Sequence, residues 1–273
     1  MHKSLYPAVI FILALLLPAA GGVLHAQDLS IGPEPENPPP DISEILKWKE
    51  VLTYEVRYSF FKLGEVRTEV VRDTLHDGRR VWWLRSIIRS NSSIPFVGKE
   101  ENHYNSFIVA DDSMPYTELY WRDNVDEQEF SDSRYDFDYG AGKVYVTEKG
   151  EEPDTLELDE PASSGQLILL YSRLFAGSER SYRLPVYLER EKGEILADNS
   201  RHTSMREYEA FEEPVPVFHS EGNADVDGPF GFRGEFEAWF RDDPLRVPVE
   251  AHMKVWLGNV KVRLIDYQKV KRP

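Results

Sequence analysis

The residues that could do chemistry in this chain are few and scattered. His76, His103, His202, His219 and His252 show no closely spaced pair of the kind that seats a catalytic zinc. Glu100-Glu101-Asn102-His103 sets a carboxylate beside an imidazole. On a strand, however, Glu101 and His103 share a face through the period of two alone, and a metal site there lacks a third ligand. Asn223-Ala224-Asp225-Val226-Asp227-Gly228 matches the first half of a calcium loop, with oxygens at alternate positions and glycine at the bend. The second half fails, because the acid expected at the twelfth position falls on Gly234; the segment reads as a polar β connection. No serine sits in a nucleophile elbow, and a chain without cysteine has no thiol chemistry. The paired carboxylates of glycan hydrolysis come from distant strands, and 48 acidic residues give no basis for choosing two. Asp242-Asp243 reads as a turn before Pro244. The sequence therefore assigns no catalytic residue, no metal ligand and no cofactor. What remains is apolar: Trp82-Trp83 and the strands rich in Tyr and Phe, which form either core or the wall of a pocket.

The elements that would position these residues are mostly strands. Within Thr53–Phe61, Tyr54, Val56, Tyr58 and Phe60 fall on one face and Glu55, Arg57 and Ser59 on the other. A turn is expected through Lys62-Leu63-Gly64, followed by a strand over Glu65–Val71. Asp77-Gly78 marks a hairpin into Arg80–Arg89. Alternation persists among the acids of Asp111–Asp138, and Gly140-Ala141-Gly142 turns the chain before Lys143–Glu148. The one long helix is expected over Ser163–Ala176: Ser163 and Gln166 suggest a capping box, Leu167, Leu170, Tyr171 and Leu174 recur at helical spacing, and Gly177 ends it. β patterning resumes at Ser181–Glu189 and Glu194–Tyr208, and is clearest in Gly234–Phe240, Val247–Val255 and Val260–Leu264. Pro248 lacks an N–H for a ladder, which predicts a local edge.

The N-terminus bounds the setting. Met1-His2-Lys3, an apolar run over Leu5–Ala20 and the small residue Ala26 have the layout of a cleavable secretory signal over residues 1–26. A proline-rich tether follows over 27–42, then a single β-rich domain over 43–273. Where the tether ends, Asp41 and Glu44 predict a reciprocal cap on a short helix before the first strand. The formal charge of −16 becomes −17 once the signal, with its single lysine, is removed. That balance argues against nucleic acid or an anionic membrane surface as a partner, since both require basic patches. No stretch beyond the signal is long enough to span a bilayer, so the processed chain is not expected to be an integral membrane protein.

The order of features is similar to that of a bacterial exported family catalogued as domain of unknown function 3108. The resemblance rests on Leu52-Thr53-Tyr54-Glu55-Val56-Arg57-Tyr58 with Leu63-Gly64-Glu65, and on Ser164-Gly165-Gln166-Leu167-Ile168-Leu169-Leu170-Tyr171-Ser172-Arg173. It also rests on a closing segment of Trp239-Phe240-Arg241-Asp242-Asp243, Arg246-Val247-Pro248-Val249 and Leu257-Gly258-Asn259-Val260. It covers roughly residues 48–268 and implies a β-rich periplasmic or envelope protein, without supplying catalytic residues. The proline-rich opening departs from the pattern.

The expected fold is mainly β: a single, strongly curved antiparallel sheet or partly open barrel, with the helix on its concave side. The leading functional expectation is a periplasmic or secreted, non-enzymatic protein that binds an apolar or amphipathic, lipid-like molecule between sheet and helix. The alternative is an envelope module holding a protein or glycan partner, motivated by the tether and the acidic middle. A hydrolase with an unidentified carboxylate pair ranks third.

Overall fold

Period-two alternation governs nearly all of the chain from Trp48 onward, and strands dominate the result. The computed structural model describes residues 38–91, 101–111, 114–124, 133–226, 233–254 and 259–272. The expected signal, residues 27–37 of the tether, Glu100, Asp227-Gly228 and Gly258 lie outside the described residues. A short helix, α1 (Ile42–Leu46), precedes β1 (Trp48–Tyr58), β2 (Phe61–His76), β3 (Arg79–Ser90), β4 (Glu101–Val109), β5 (Tyr116–Asn124), β6 (Ser133–Asp138), β7 (Lys143–Glu148) and β8 (Asp154–Glu157). Next comes α2 (Ile168–Tyr171), which tightens into a 3-10 turn over Ser172–Leu174. The chain ends with β9 (Tyr182–Leu188), β10 (Glu191–Arg206), β11 (Val215–Ala224), β12 (Gly234–Arg241), β13 (Pro248–Lys254) and β14 (Asn259–Lys271).

All fourteen strands form one antiparallel sheet in the order β8-β7-β6-β5-β4-β3-β2-β1-β14-β13-β12-β11-β10-β9. It is two meanders joined where β1 pairs with β14. Register shifts at Thr53/Tyr54, Val56/Arg57, Val70/Arg72, Phe107/Ile108, Asn199/Thr203 and Trp239/Phe240 interrupt the ladders. Such bulges bend the strand that carries them and increase local twist. The sheet curls until its ends meet without pairing. Tyr135, Phe137, Val144 and Val146 of β6 and β7 share a core with Tyr182–Leu188 of β9, from the far end of the strand order. The segment 158–164 stitches the two sides. Leu158 N–H donates to Gly142 O, Thr117 N–H to Ala162 O, Ser163 N–H to Pro185 O and Tyr187 N–H to Ser163 O. The expected partly open barrel is the fold observed.

α1 and α2 close one end. Ile42, Ile45 and Leu46 pack with Leu167, Leu170 and Leu174 over Val70, Leu84 and Ile108 of β2, β3 and β4. Asp41 N–H donates to the Glu44 carboxylate at 3.4 Å, as its spacing predicts. Arg173, 1% exposed, ties the 3-10 turn to the sheet: its guanidinium donates to both Glu50 oxygens at 2.8 and 3.2 Å and to Leu245 O at 2.6 Å. Tyr267 OH donates to the same carboxylate at 2.6 Å.

Two local expectations are corrected. The helix is much shorter than Ser163–Ala176, because Ser163 forms a parallel bridge with Val186 and Gly165 takes φ +90°. No capping box forms. Ser163 Oγ accepts from Gly165 N–H at 2.9 Å, while the Gln166 amide donates to Tyr104 O at 2.9 Å. Gly177 does end the helical segment, at φ +77°. Next, the first hairpin turns at Ser59-Phe60, and Lys62-Leu63-Gly64 lies within β2. A Cβ on Gly64 would lie 2.2 Å from Arg89 O, so the glycine serves a close approach of β3 and not a turn. The local edge expected at Pro248 is observed, although β13 lies inside the strand order. Pro248 stands opposite Phe240 beside a bulge in β13, and pairing of β13 with β14 begins only at Glu250, so its missing N–H costs no ladder bond to β14.

Candidate functional site

Curling so long a sheet around so short a helix leaves space that side chains do not fill. The cavity has a volume of ≈ 340 Å³. Its wall is built from the inward positions of strands from both meanders: Tyr54 and Val56 of β1, Ile88 of β3, Phe236, Ala238 and Phe240 of β12, and Val262 of β14. Ile168 and Leu169 of α2 cover one end, and the lining reaches Glu189 and Val226 at the other. Small residues keep the space open where β11, β12 and β13 cross it, at Ser220, Ala238 and Ala251. These three face one another in the ladders.

The serines, Gln166 and Tyr54 of the wall have hydrogen-bond partners within the protein. Ser106 Oγ, which is buried, donates to Gln166 Oε1 at 2.6 Å and lies 2.9 Å from Ser164 Oγ. Ser86 Oγ donates to Thr68 Oγ1 at 3.0 Å, Ser220 Oγ to Asn199 Oδ1 at 2.6 Å, and Tyr54 OH to Pro248 O at 2.9 Å. Burial pushes the Tyr54, Tyr120 and Tyr182 phenols up, so all three stay neutral. Glu250 also borders the cavity, and its carboxylate accepts from Arg206 and Tyr208 and meets His252 at 2.7 Å. A nucleophile beside a free base is absent among the described lining residues. The arrangement can hold an apolar body of modest size. At ~30 Å³ per water-sized group, it has room for about eleven of them.

The histidines lie outside this cavity. His76 packs its ring 5.2 Å from Phe107. His103 Nε2 sits 2.9 Å from Glu101 Oε1, as the shared strand face predicts. His202 is exposed. His219 and His252 flank Trp239, with Glu237 at 3.4 Å from the first and 3.9 Å from the second. That convergence comes from three neighbouring strands and left no signal in the linear spacing. Among the described residues no group of three or more acids and histidines is placed to hold a metal ion. In the partial calcium loop, Asp225 instead pairs with Arg233 at 2.9 Å. Asp243 forms the turn read from sequence, accepting from Leu245 N–H at 3.0 Å and Val247 N–H at 3.4 Å. Trp82 packs beside the helical cluster and Trp83 donates to Asn105 at 3.0 Å. Neither tryptophan lines the cavity. The residues that do were hidden in ordinary alternation, because sequence shows which face is apolar but not where facing walls fail to meet.

A curled antiparallel sheet around an apolar cavity defines a β-barrel-like protein. The chain belongs to the family described as "Protein of unknown function (DUF3108)", whose model matches residues 53–265. Among solved structures it is similar to one described as a beta-barrel-like protein of domain of unknown function DUF1849 from Brucella abortus. The two share 10% identity over 82% of this chain and 98% of that one, with a TM-score of 0.49. No curated protein matches the chain. Among the described residues no helix is long and apolar enough to cross a membrane.

Proposed function

We propose that this protein is a non-enzymatic binder that holds the apolar part of an amphipathic, lipid-like molecule inside the curled sheet. The observation that carries the reading is the ≈ 340 Å³ apolar-walled cavity whose serines, Gln166 and Tyr54 already have hydrogen-bond partners within the protein. Such a wall offers a ligand mostly apolar burial with few groups left to hydrogen-bond, which suits an alkyl chain better than a polar metabolite. We place the protein in the periplasm, exported by a signal over residues 1–26 that is then removed, with 27–42 as a tether before a single domain over 43–273.

Native mass spectrometry of the full processed chain, purified gently from an exporting host and followed by organic extraction, tests this. One lipid-like adduct per chain is expected. Ala238→Trp, which fills the cavity from β12, should abolish it while the chain stays folded. A clean apo mass that persists after incubation with fatty acid or phospholipid would overturn the reading.

A further inference from the structure

Polar residues and glycine normally make hairpin tips, because the tip is the part of a sheet most exposed to water. The tip between β1 and β2 is instead Ser59-Phe60 followed by Phe61. Phe60 is 73% exposed and Phe61 48%, with their rings in contact at 4.1 Å between centroids. Ser59 takes φ +53°, and Arg57 donates to Phe60 O at 3.0 Å, so the turn that presents the rings is fixed by its own bonds.

The place of this tip in the fold adds meaning. Because neighbouring strands are antiparallel throughout, β1 and β9 run toward the same end of the sheet. The β1–β2 tip therefore lies at the end of the Glu189-Arg190 turn, which the cavity lining reaches, and opposite the end covered by α1 and α2. Val56 of β1, in the cavity wall, is four residues before Phe60 in the turn that follows.

We infer that Phe60 and Phe61 dock this end of the protein on a lipid surface, an inference that rests on the cavity reading for its purpose but not for the contact itself. Two Phe side chains bury roughly 300–500 Å² between them, well short of the ~1,200 Å² that a specific protein interface needs. A second copy of the chain is thus a poor occupant. A bilayer has no such minimum, and it accepts a small apolar wedge flanked by long basic side chains whose heads stay at the headgroup level. Arg57 and Lys62 flank the rings in this manner, each paired with an acid, Glu55 and Glu65 respectively, so the tip carries no net charge. With −16 on the whole chain, the surface that fits is zwitterionic, and anionic lipid should weaken the contact.

The test is co-sedimentation of the full processed chain with phosphatidylcholine vesicles. The double variant Phe60→Ser/Phe61→Ser should lose at least about tenfold in partitioning, with thermal stability unchanged because both rings are exposed. Phe60→Trp should keep vesicle binding. Ala238→Trp, which removes a cavity adduct, should sediment with vesicles like the wild type. That result would separate failure of the cavity reading from failure of the contact. Wild-type chain left in the supernatant, or a double variant that binds as well as wild type, would overturn the inference. So would a concentration-dependent dimer, dissolved by the double substitution, in protein that ignores vesicles.

Discussion

Glu250 shows how a single acid is held in the wall of this sheet. Its side chain is 5% exposed, and Arg206 Nη1, Tyr208 OH and His252 Nε2 lie 2.9, 3.0 and 2.7 Å from its oxygens. Burial alone would raise its pKa. The His252 hydrogen bond and the Arg263 charge outweigh burial and hold the carboxyl at about 2, below its ordinary 4.5. A depressed folded value means that the unfolded chain takes up its proton first as pH falls. The stabilisation is therefore complete above the ordinary value and is lost as pH drops from there toward 2. Glu250→Gln removes this contribution. The gap in urea midpoint between wild type and variant should be largest near pH 6 and shrink steadily below pH ~4.5. Glu101, held at about 2 by Arg89 and His103, titrates in the same window in both proteins and cancels in the difference. A gap that stays constant with pH would show that Glu250 is not stabilised as the carboxylate. Glu250 and His252 repeat the period-two pairing of Glu101 and His103. Only the Glu101–His103 pair was read from sequence, and the basic residues that surround Glu250 come from other strands and left no linear signal.

At the scale of elements, Gly64 tests how tightly the curled sheet is wound. Its missing Cβ lets β2 pass Arg89 O, where an added methyl carbon would sit at 2.2 Å from a backbone oxygen that cannot rotate away. Gly64→Ala should destabilise the fold by about 2–3 kcal/mol, read from urea denaturation, since the two strands must part to admit it. A neutral outcome would mean that the ladder has slack at this point. The sequence made Gly64 part of a turn because glycine beside Lys62 and Leu63 reads as punctuation. It could not show the neighbouring strand that makes glycine necessary. Strands fared better: Asp77-Gly78 turns with φ of +46° and +80°, the mirror-image geometry that an Asp-Gly pair favours. The helix was legible in its apolar positions and not in its length. Leu167, Leu170 and Leu174 pack as their spacing predicts. Ser163 and Ser164, read as the helical start, are spent on joining the two sides of the sheet, a demand set by strands far away in sequence.

The whole molecule depends on that join, because β8 and β9 end the strand order and have no ladder between them. Thr117 is central to it and fully buried. Its backbone N–H donates to Ala162 O at 2.8 Å, and its hydroxyl accepts from Ser164 N–H at 3.2 Å. Surface ion pairs add to the seam, with Arg183 bridging Glu160 at 2.8 Å and Glu194 at 2.6 Å. Exposed pairs contribute little each, so the buried hydrogen bonds carry most of the closure. Thr117→Val keeps the shape of the side chain and leaves Ser164 N–H without its acceptor, at a cost of about 1–3 kcal/mol. If the seam opens as a unit of its own, hydrogen exchange should speed up at the amides of Ser163, Ser164 and Tyr187 while β1 and β2, in the middle of the order, keep wild-type protection. Equal loss of protection in all strands would instead mean that the seam parts only when the whole sheet unfolds. The distinction bears on how the cavity exchanges its contents. Ser164, Gly165 and Gln166 line it beside the seam, so a seam that opens alone gives a ligand a route through the wall. A seam that holds until global unfolding leaves only the end marked by Phe60 and Phe61.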